Sequence, residues 1–235
     1  MLVQRPETDI QHKIVLLGDS RVGKTSLLNR QLHGYQPQNL NPTIGCHCNE
    51  LTMTVDDKPV TLQVWDTAGQ EMYRALVPVY LKGAHAAIVI FDITEIDSFN
   101  SLGHWYDLLR DTVSESTPVF LVANKTDLLK DITSNTNNSS PNNNSQVNDS
   151  ASNDSNVGEN RSSNSPIERS NFVDDESAKA FAISHSSKFF RASALTGEGV
   201  DEIFQAVAKE MARAAFTDAN PRGLEPIPQS KKKCC

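Results

Sequence analysis

Short apolar runs alternate along this chain with stretches of helical spacing. Residues 13–17 (KIVLL) are rich in branched side chains and stop at Gly18, and the spacing over residues 23–34 predicts a helix. Residues 51–55 and 60–65 alternate apolar with polar positions about Asp56, Asp57 and Lys58, the pattern of an antiparallel hairpin. Residues 84–92 (AHAAIVIFD) and 118–123 (PVFLVA) are nearly unbroken apolar runs, as strands covered on both faces require, and residues 99–113 between them have helical spacing. Further on, residues 174–183 predict a helix and Phe189-Phe190 a short strand. Residues 200–216 predict an amphipathic helix with Asp201 and Glu202 in its first turn.

This order predicts an α/β domain: a doubly wound, mostly parallel six-stranded sheet with one antiparallel edge strand and helices on both faces. Residues 131–171 break the pattern. They are dominated by Asn and Ser, and cannot bury enough apolar area to offset the roughly 1–2 kcal/mol per residue of backbone entropy, so a disordered insertion is expected. The domain then spans residues 11–216, preceded by a flexible segment 1–10 and followed by a flexible tail 217–235 rich in Pro, Asn and Gly.

Composition narrows the function. A net charge of −7 over 235 residues opposes a general nucleic-acid binder, whose affinity rests on a basic surface. Residues 1–9 lack a continuous apolar stretch of the secretory kind, and no run of about 18 apolar residues occurs, so a cytosolic chain is expected. The Asn-X-Ser triplets, such as Asn148-Asp149-Ser150, then read as compositional accident. Of four cysteines, two are terminal; Cys46 and Cys48 alternate with His47 and suit neither a disulfide framework nor a four-ligand zinc site, since adjacent strand residues point to opposite faces.

Four motifs carry chemistry. Gly18, Asp19, Ser20, Arg21, Val22, Gly23, Lys24 and Thr25 match G-x-x-x-x-G-K-[ST] between a predicted strand and a predicted helix, where Ser26 continues the first turn. The glycines let backbone N–H groups wrap phosphates, Lys24 sets a charge on the β and γ oxygens, and the Thr25 hydroxyl suits Mg²⁺. After the second hairpin strand come Asp66, Thr67, Ala68, Gly69 and Gln70. There Asp66 is placed to hold Mg²⁺, Gly69 to let the backbone approach a γ-phosphate, and Gln70 to orient an attacking water. Asn124, Lys125, Thr126 and Asp127 follow the 118–123 strand. A carboxylate there accepts both guanine N1–H and the 2-amino group, a donor pair that adenine lacks. Ser193, Ala194 and Leu195 follow the last short strand, where a backbone N–H can reach guanine O6 while Ser193 braces the loop.

In this order the four motifs resemble the Ras-type small GTPases, and TLQVWDTAGQE (61–71), Tyr73-Arg74, YLKGAHAAIVIFDIT (80–94), DSF (97–99) and the pair Cys234-Cys235 resemble the Rab branch, its endosomal members in particular. The likeness covers about residues 11–130 and 172–235. It implies a P-loop small-GTPase fold that binds GTP and GDP with Mg²⁺ and hydrolyses GTP slowly, with Gln70, Lys24 and Gly69 catalytic. It also implies that residues 42–45 form a first switch, with Thr43 joining Thr25 and Asp66 around Mg²⁺ when a γ-phosphate is present, and residues 69–80 a second. Ile44, Gly45, Trp65 and Tyr80 would meet effector proteins. An exchange factor, a GTPase-activating protein and prenylation and extraction chaperones are expected partners. Lipidation of Cys234 and Cys235 beside Lys231, Lys232 and Lys233 would give peripheral attachment to the cytosolic face of intracellular membranes in vesicle traffic.

The departures from the family pattern are local. Cys46-His47-Cys48 stands where Rab proteins usually carry an acidic residue followed by an aromatic, so the aromatic that would join Trp65 and Tyr80 is missing. Tyr35 lies one position from the usual base-flanking aromatic, and Leu195 replaces a lysine that commonly stacks near the base. Two rivals stay open on the residues alone: a P-loop ATPase or nucleotide kinase, opposed by Asp127, and a non-hydrolysing binding module on the same fold, opposed by Gln70.

Overall fold

A computed structural model describes residues 11–35, 42–69, 75–129 and 172–219, with side chains to residue 215. In chain order the elements are β1 (Gln11–Leu17), α1 (Lys24–His33), β2 (Cys46–Val55), β3 (Lys58–Thr67), α2 (Val77–Leu81), β4 (Ala86–Asp92), α3 (Ile96–Asn100), α4 (Leu102–Thr112), β5 (Val119–Asn124), α5 (Asp175–Ser184), β6 (Lys188–Arg191) and α6 (Val200–Ala219). Among the described residues the strands form one six-stranded sheet ordered β2-β3-β1-β4-β5-β6. Every pairing is parallel except β2 with β3.

The period-2 alternation of side chains sends successive residues of each central strand into two separate cores. Ile14, Leu16, Ile88, Ile90, Phe120 and Val122 face one core, which α6 covers with Val200, Ile203, Phe204, Val207 and Met211, spaced three and four apart. Val15, Leu17, Val89, Phe91 and Leu121 face the other, closed by Leu102, Trp105, Tyr106 and Leu109 of α4 and by Ala178 and Ala182 of α5. Double coverage explains why β4 is buried at every position and reads as unbroken apolar sequence. The edge strand β2 buries only Met53 and Val55, and its alternation is correspondingly visible.

Three boundaries differ from the pattern reading. β2 begins at Cys46, ahead of the predicted 51, because Cys46 to Glu50 pair in register with Gln63 to Thr67 although they are too polar to look like a strand. The single helix expected over 99–113 is two, α3 and α4, meeting at Ser101. α6 runs to Ala219, past the expected end at 216. The hairpin turn sits where it was expected: Asp56 and Asp57 adopt φ of 49° and 59°, the pair of positive values that a two-residue hairpin loop needs and that Asp tolerates. The insertion 131–171, the segment 1–10 and the tail beyond Ala219 lie outside the described residues.

The loops that carry the sequence motifs all leave the carboxyl ends of parallel strands. β1 flows into residues 18–25, β3 into 68–69, β5 into 125–127 and β6 into 192–195. β1 has β3 on one side and β4 on the other, so the loop after β1 stands where chain order reverses across the sheet, the usual ligand crevice of an open α/β sheet.

Candidate functional site

The loop after β1 is shaped by residues in left-handed conformation. Gly23 has φ 98° and immediately precedes α1, and a Cβ there would lie 2.3 Å from Asn124 Nδ2, so no other residue fits without displacement. The first-turn N–H groups of α1 are left without intrahelical partners, which makes the helix start an anion cradle. Lys24 is the first residue of that helix and is 5% exposed. Its ammonium donates to the carbonyls of Gly18 and Asp19, both at 2.7 Å, and burial pushes its pKa down to about 8. Gly69 closes the opposite wall: a Cβ there would lie 2.4 Å from the Asp19 carbonyl and from Lys24 Nζ. A cavity of about 330 Å³ lies here, lined by Ser20, Arg21, Gly23, Lys24, Thr25, Ser26, Pro42, Thr43, Thr67 and Gly69.

Three side-chain oxygens converge beside Lys24. Thr25 Oγ1 donates to Asp66 Oδ2 at 2.7 Å and shares a hydrogen bond of 2.8 Å with Thr43 Oγ1. Thr43 Oγ1 also reaches Asp66 Oδ2 at 3.5 Å. Asp66 is 2% exposed, and burial raises its pKa against the pull of Thr25 and Lys24. Its other oxygen, Oδ1, is buried without a hydrogen-bond partner. An orphaned carboxylate oxygen among hydroxyls is a hard, anionic donor set, which fits a small divalent cation such as Mg²⁺.

The base side is built by cross-loop bonds. Asn124, 1% exposed at the end of β5, donates from Nδ2 to the Val22 carbonyl at 2.8 Å and accepts from Ala194 N–H at 3.1 Å, so one side chain joins three loops. Lys125, with φ 66°, pairs through Nζ with Asp92 Oδ2 at 2.5 Å. Ser193, fully buried, donates to Asp127 Oδ1 at 2.5 Å and accepts from Thr196 N–H at 3.0 Å. Leu195 is 59% exposed, and Tyr35, at the end of α1, is likewise exposed. A second cavity, of about 400 Å³, borders the first across the phosphate loop and is lined in part by Asp19, Val22, Asp92 and Lys125; Asp127 and residues 193–195 line neither.

The structure therefore brings together Gly18 to Ser26, Thr43, Asp66, Gly69, Asn124, Lys125, Asp127, Ser193, Ala194 and Leu195. Gln70, Cys234 and Cys235 lie outside the described residues. Of the expected effector residues, Ile44 is 73% exposed beside Gly45, and the Trp65 and Tyr80 rings are 6.4 Å apart. Cys48 pairs with Trp65 across β2 and β3, and Cys46 shares its face. His47 points to the other face, opposite Asp66, so the three residues do not converge on a metal. Among the described residues no group of three His, Cys, Asp or Glu could hold one.

Pattern reading missed the residues that hold these loops from behind. Arg30, in the last turn of α1, donates to the carbonyls of Ala194 at 2.8 Å, of Leu195, and of Gly34 at 2.6 Å. Ser101, the cap residue ahead of α4, and Trp105 within α4 donate to the Asp19 carboxylate. Only Trp105 left a trace in the sequence: an indole N–H in an apolar helical stripe needs an acceptor.

A model of the Ras family matches residues 13–213 of this chain. The chain is also similar to the GTP-binding protein ypt3 of Schizosaccharomyces pombe, at 32% identity over 228 residues that cover 96% of this chain and 88% of that protein.

Proposed function

The chain belongs to the Ras family and is a small GTPase of the Rab type, and on that premise we propose that it cycles between a GTP form that recruits effector proteins to membranes and a GDP form that releases them. The observation that carries this reading is the Thr43 hydroxyl. It comes from the loop ahead of β2 yet lies 2.8 Å from Thr25 Oγ1 and within reach of Asp66. A loop residue in the metal shell makes the loop's position depend on what fills the cradle, so a lost phosphate becomes a changed surface at Ile44 and Gly45. Mg²⁺, held by Thr25, Thr43 and Asp66, supplies charge neutralisation at the phosphates when bound.

Guanine is selected by Asp127, whose carboxylate Ser193 orients, with Asn124 and the Ala194 N–H closing the base pocket. Lys24 meets the β and γ oxygens, Gly69 donates its N–H near the γ-phosphate, and Gln70 orients the attacking water. Hydrolysis is slow without an activating protein: among the described residues the one arginine that lines the cradle is Arg21, which belongs to the phosphate loop itself. Lipidation of Cys234 and Cys235 with the three preceding lysines anchors the GTP form to the cytosolic face of endosomal membranes, in vesicle traffic, by the two-signal requirement for stable binding. Among the described residues no helix is long and apolar enough to cross a membrane.

The test is competition of GTP, GDP, XTP and ATP against a fluorescent guanine nucleotide, with and without Mg²⁺, on the wild-type chain and on Asp127→Asn. Displacement by GTP and GDP but not ATP, moving toward XTP in the variant, is expected; equal displacement by ATP would remove Asp127 from base selection. Gln70→Leu is expected to keep GTP binding and lower single-turnover hydrolysis, and an unchanged rate would take Gln70 out of the mechanism.

A further inference from the structure

Asp19 faces two ways. Its carbonyl belongs to the inner wall of the phosphate cradle, where it accepts from Lys24 at 2.7 Å and sits 2.4 Å from where a Cβ on Gly69 would stand. Its carboxylate points out of the cradle toward α4, and each oxygen meets its own donor. Ser101 Oγ donates to Oδ2 at 2.6 Å and Trp105 Nε1 to Oδ1 at 3.0 Å. Ser101 caps the start of α4 with φ −74° and ψ −11°, already helical values, so it and Trp105, four residues on, project to the same side.

The two ends of this contact differ in stiffness. Trp105 is fully buried in the core formed with Leu102, Tyr106 and Leu109, so its indole cannot follow a moving loop. The loop, in contrast, is held in a shape its own residues do not favour: Arg21 has φ 68°, a left-handed conformation that a long side chain rarely adopts. A loop that carries such a residue needs restraint from outside, and the Asp19 carboxylate is where α4 provides it. The short helix α3 just before α4 also serves the base side. Ser98 donates its one proton to the Glu95 carbonyl at 2.7 Å, with the Asp92 carbonyl at 3.2 Å as the longer alternative, and accepts from Asp92 N–H at 3.0 Å, while Asp92 holds Lys125.

We propose that Ser101 and Trp105 are positioning residues for nucleotide binding, which act through the Asp19 carboxylate to hold the phosphate loop in its binding shape. This rests on the guanine-nucleotide reading above. A preformed loop spends less binding free energy on ordering, so loss of the latch weakens GDP and GTP alike, because both use the same loop. Hydrogen bonds to a charged group are among the stronger ones in a folded protein, and an effect of roughly tenfold is expected when one is removed.

The experiment measures dissociation of mant-GDP, excited directly, from the full-length wild type, Trp105→Phe, Ser101→Ala, Asp19→Ala and the double variant Asp19→Ala/Trp105→Phe, with a thermal melt of each. Trp105→Phe keeps an aromatic ring in the core but removes the N–H together with part of the ring volume; it is expected to raise the dissociation rate roughly tenfold, and the Asp19→Ala background separates the lost bond from the lost packing. In the Asp19→Ala background the same change is expected to be silent, because its acceptor is gone. An unchanged rate in Trp105→Phe overturns the proposal, and so does a full effect persisting in the Asp19→Ala background, which would assign Trp105 to core packing. Should Trp105→Phe fail to fold, Ser101→Ala leaves the core ring in place and must by itself raise the rate severalfold, or the latch is refuted. A wild type that binds no mant-GDP overturns the guanine reading and the latch with it, whereas normal wild-type binding with unaffected variants overturns the latch alone.

Discussion

Asn124→Ala isolates the bond that joins the phosphate loop to the base loops. The side chain is 1% exposed and makes two hydrogen bonds, 2.8 Å to the Val22 carbonyl and 3.1 Å from the Ala194 N–H. Alanine removes both and leaves a backbone acceptor and a backbone donor unpaired in the interior. Each such orphan costs about 1–3 kcal/mol, and the lower end applies where loops relax enough to admit water, so the total is about 2 kcal/mol. Because the bonds join loops that meet the ligand, the loss belongs chiefly to binding, as a roughly thirtyfold rise in Kd for mant-GDP. Any part retained in the nucleotide-free protein lowers Tm, by about 2–4 °C for each kcal/mol in a domain of this size. Asn124→Asp is expected to fare no better: it keeps an acceptor for Ala194 N–H but turns a carboxylate oxygen on the Val22 carbonyl. Titration of mant-GDP together with a melt of the nucleotide-free protein reads both components. A variant that binds within about twofold of wild type and melts at the same temperature would refute the bridging role, since neither reservoir would then hold the predicted loss.

Two further predictions use the same geometry. Burial pushes the Lys24 pKa from 10.5 to about 8, so between those values the unfolded chain binds a proton that the folded chain lacks; stability of the nucleotide-free protein should therefore rise with pH across that window, by up to about 3 kcal/mol, and urea melts of Lys24→Met should lack the rise. Arg30→Ala removes a fork that grips the carbonyls of Ala194, Leu195 and Gly34, and mant-GDP should dissociate severalfold faster; Arg30→Lys should recover little, because one ammonium cannot reproduce the planar guanidinium, and full recovery by lysine would refute the fork.

The ligand-facing residues were legible in the sequence because their chemistry is local. Gly18 to Thr25 announce themselves by their spacing, Asp66 and Asn124 each close an apolar run, and Asp127 and Ser193 come within three residues of a strand end. The sheet itself was legible for the same reason: β4 and β5 are covered on both faces and so are apolar throughout. What the pattern hid depends on contacts distant in sequence. Cys46 to Glu50 form a strand because they pair with β3, and no apolar alternation records that pairing. The break at Ser101 is invisible because α3 and α4 share one apolar face. Arg30 looks like any charged residue near a helix end, although its partners lie at Ala194 and Leu195.

The missed residues share a position in the architecture as well as a reason for being missed. Arg30 and Trp105 sit on helices and Ser101 at a helix start, and each, like the expected Asn124 at the end of β5, fixes a loop through a backbone group or through Asp19. Loops rich in left-handed residues cannot hold a binding shape by local preference, so the restraint has to come from elements whose own positions the two cores determine. The switch side of the site is built the other way. Thr43 reaches Thr25 and Asp66 from a loop with few buried neighbours, and Ile44 beside it is 73% exposed. Next to that loop, the aromatic pair Trp65 and Tyr80 is joined by the small Cys48, with Lys13 Nζ 4.4 Å over the Trp65 ring, and burial raises the thiol pKa of both Cys46 and Cys48. Cys46 and Cys48 leave a shallow surface with Lys13 and Glu50 beside it, where an aromatic at position 48 would have made a ridge. This face therefore takes its shape from Trp65 and Tyr80 and a positive charge from Lys13, beside the exposed loop that carries Thr43 and Ile44.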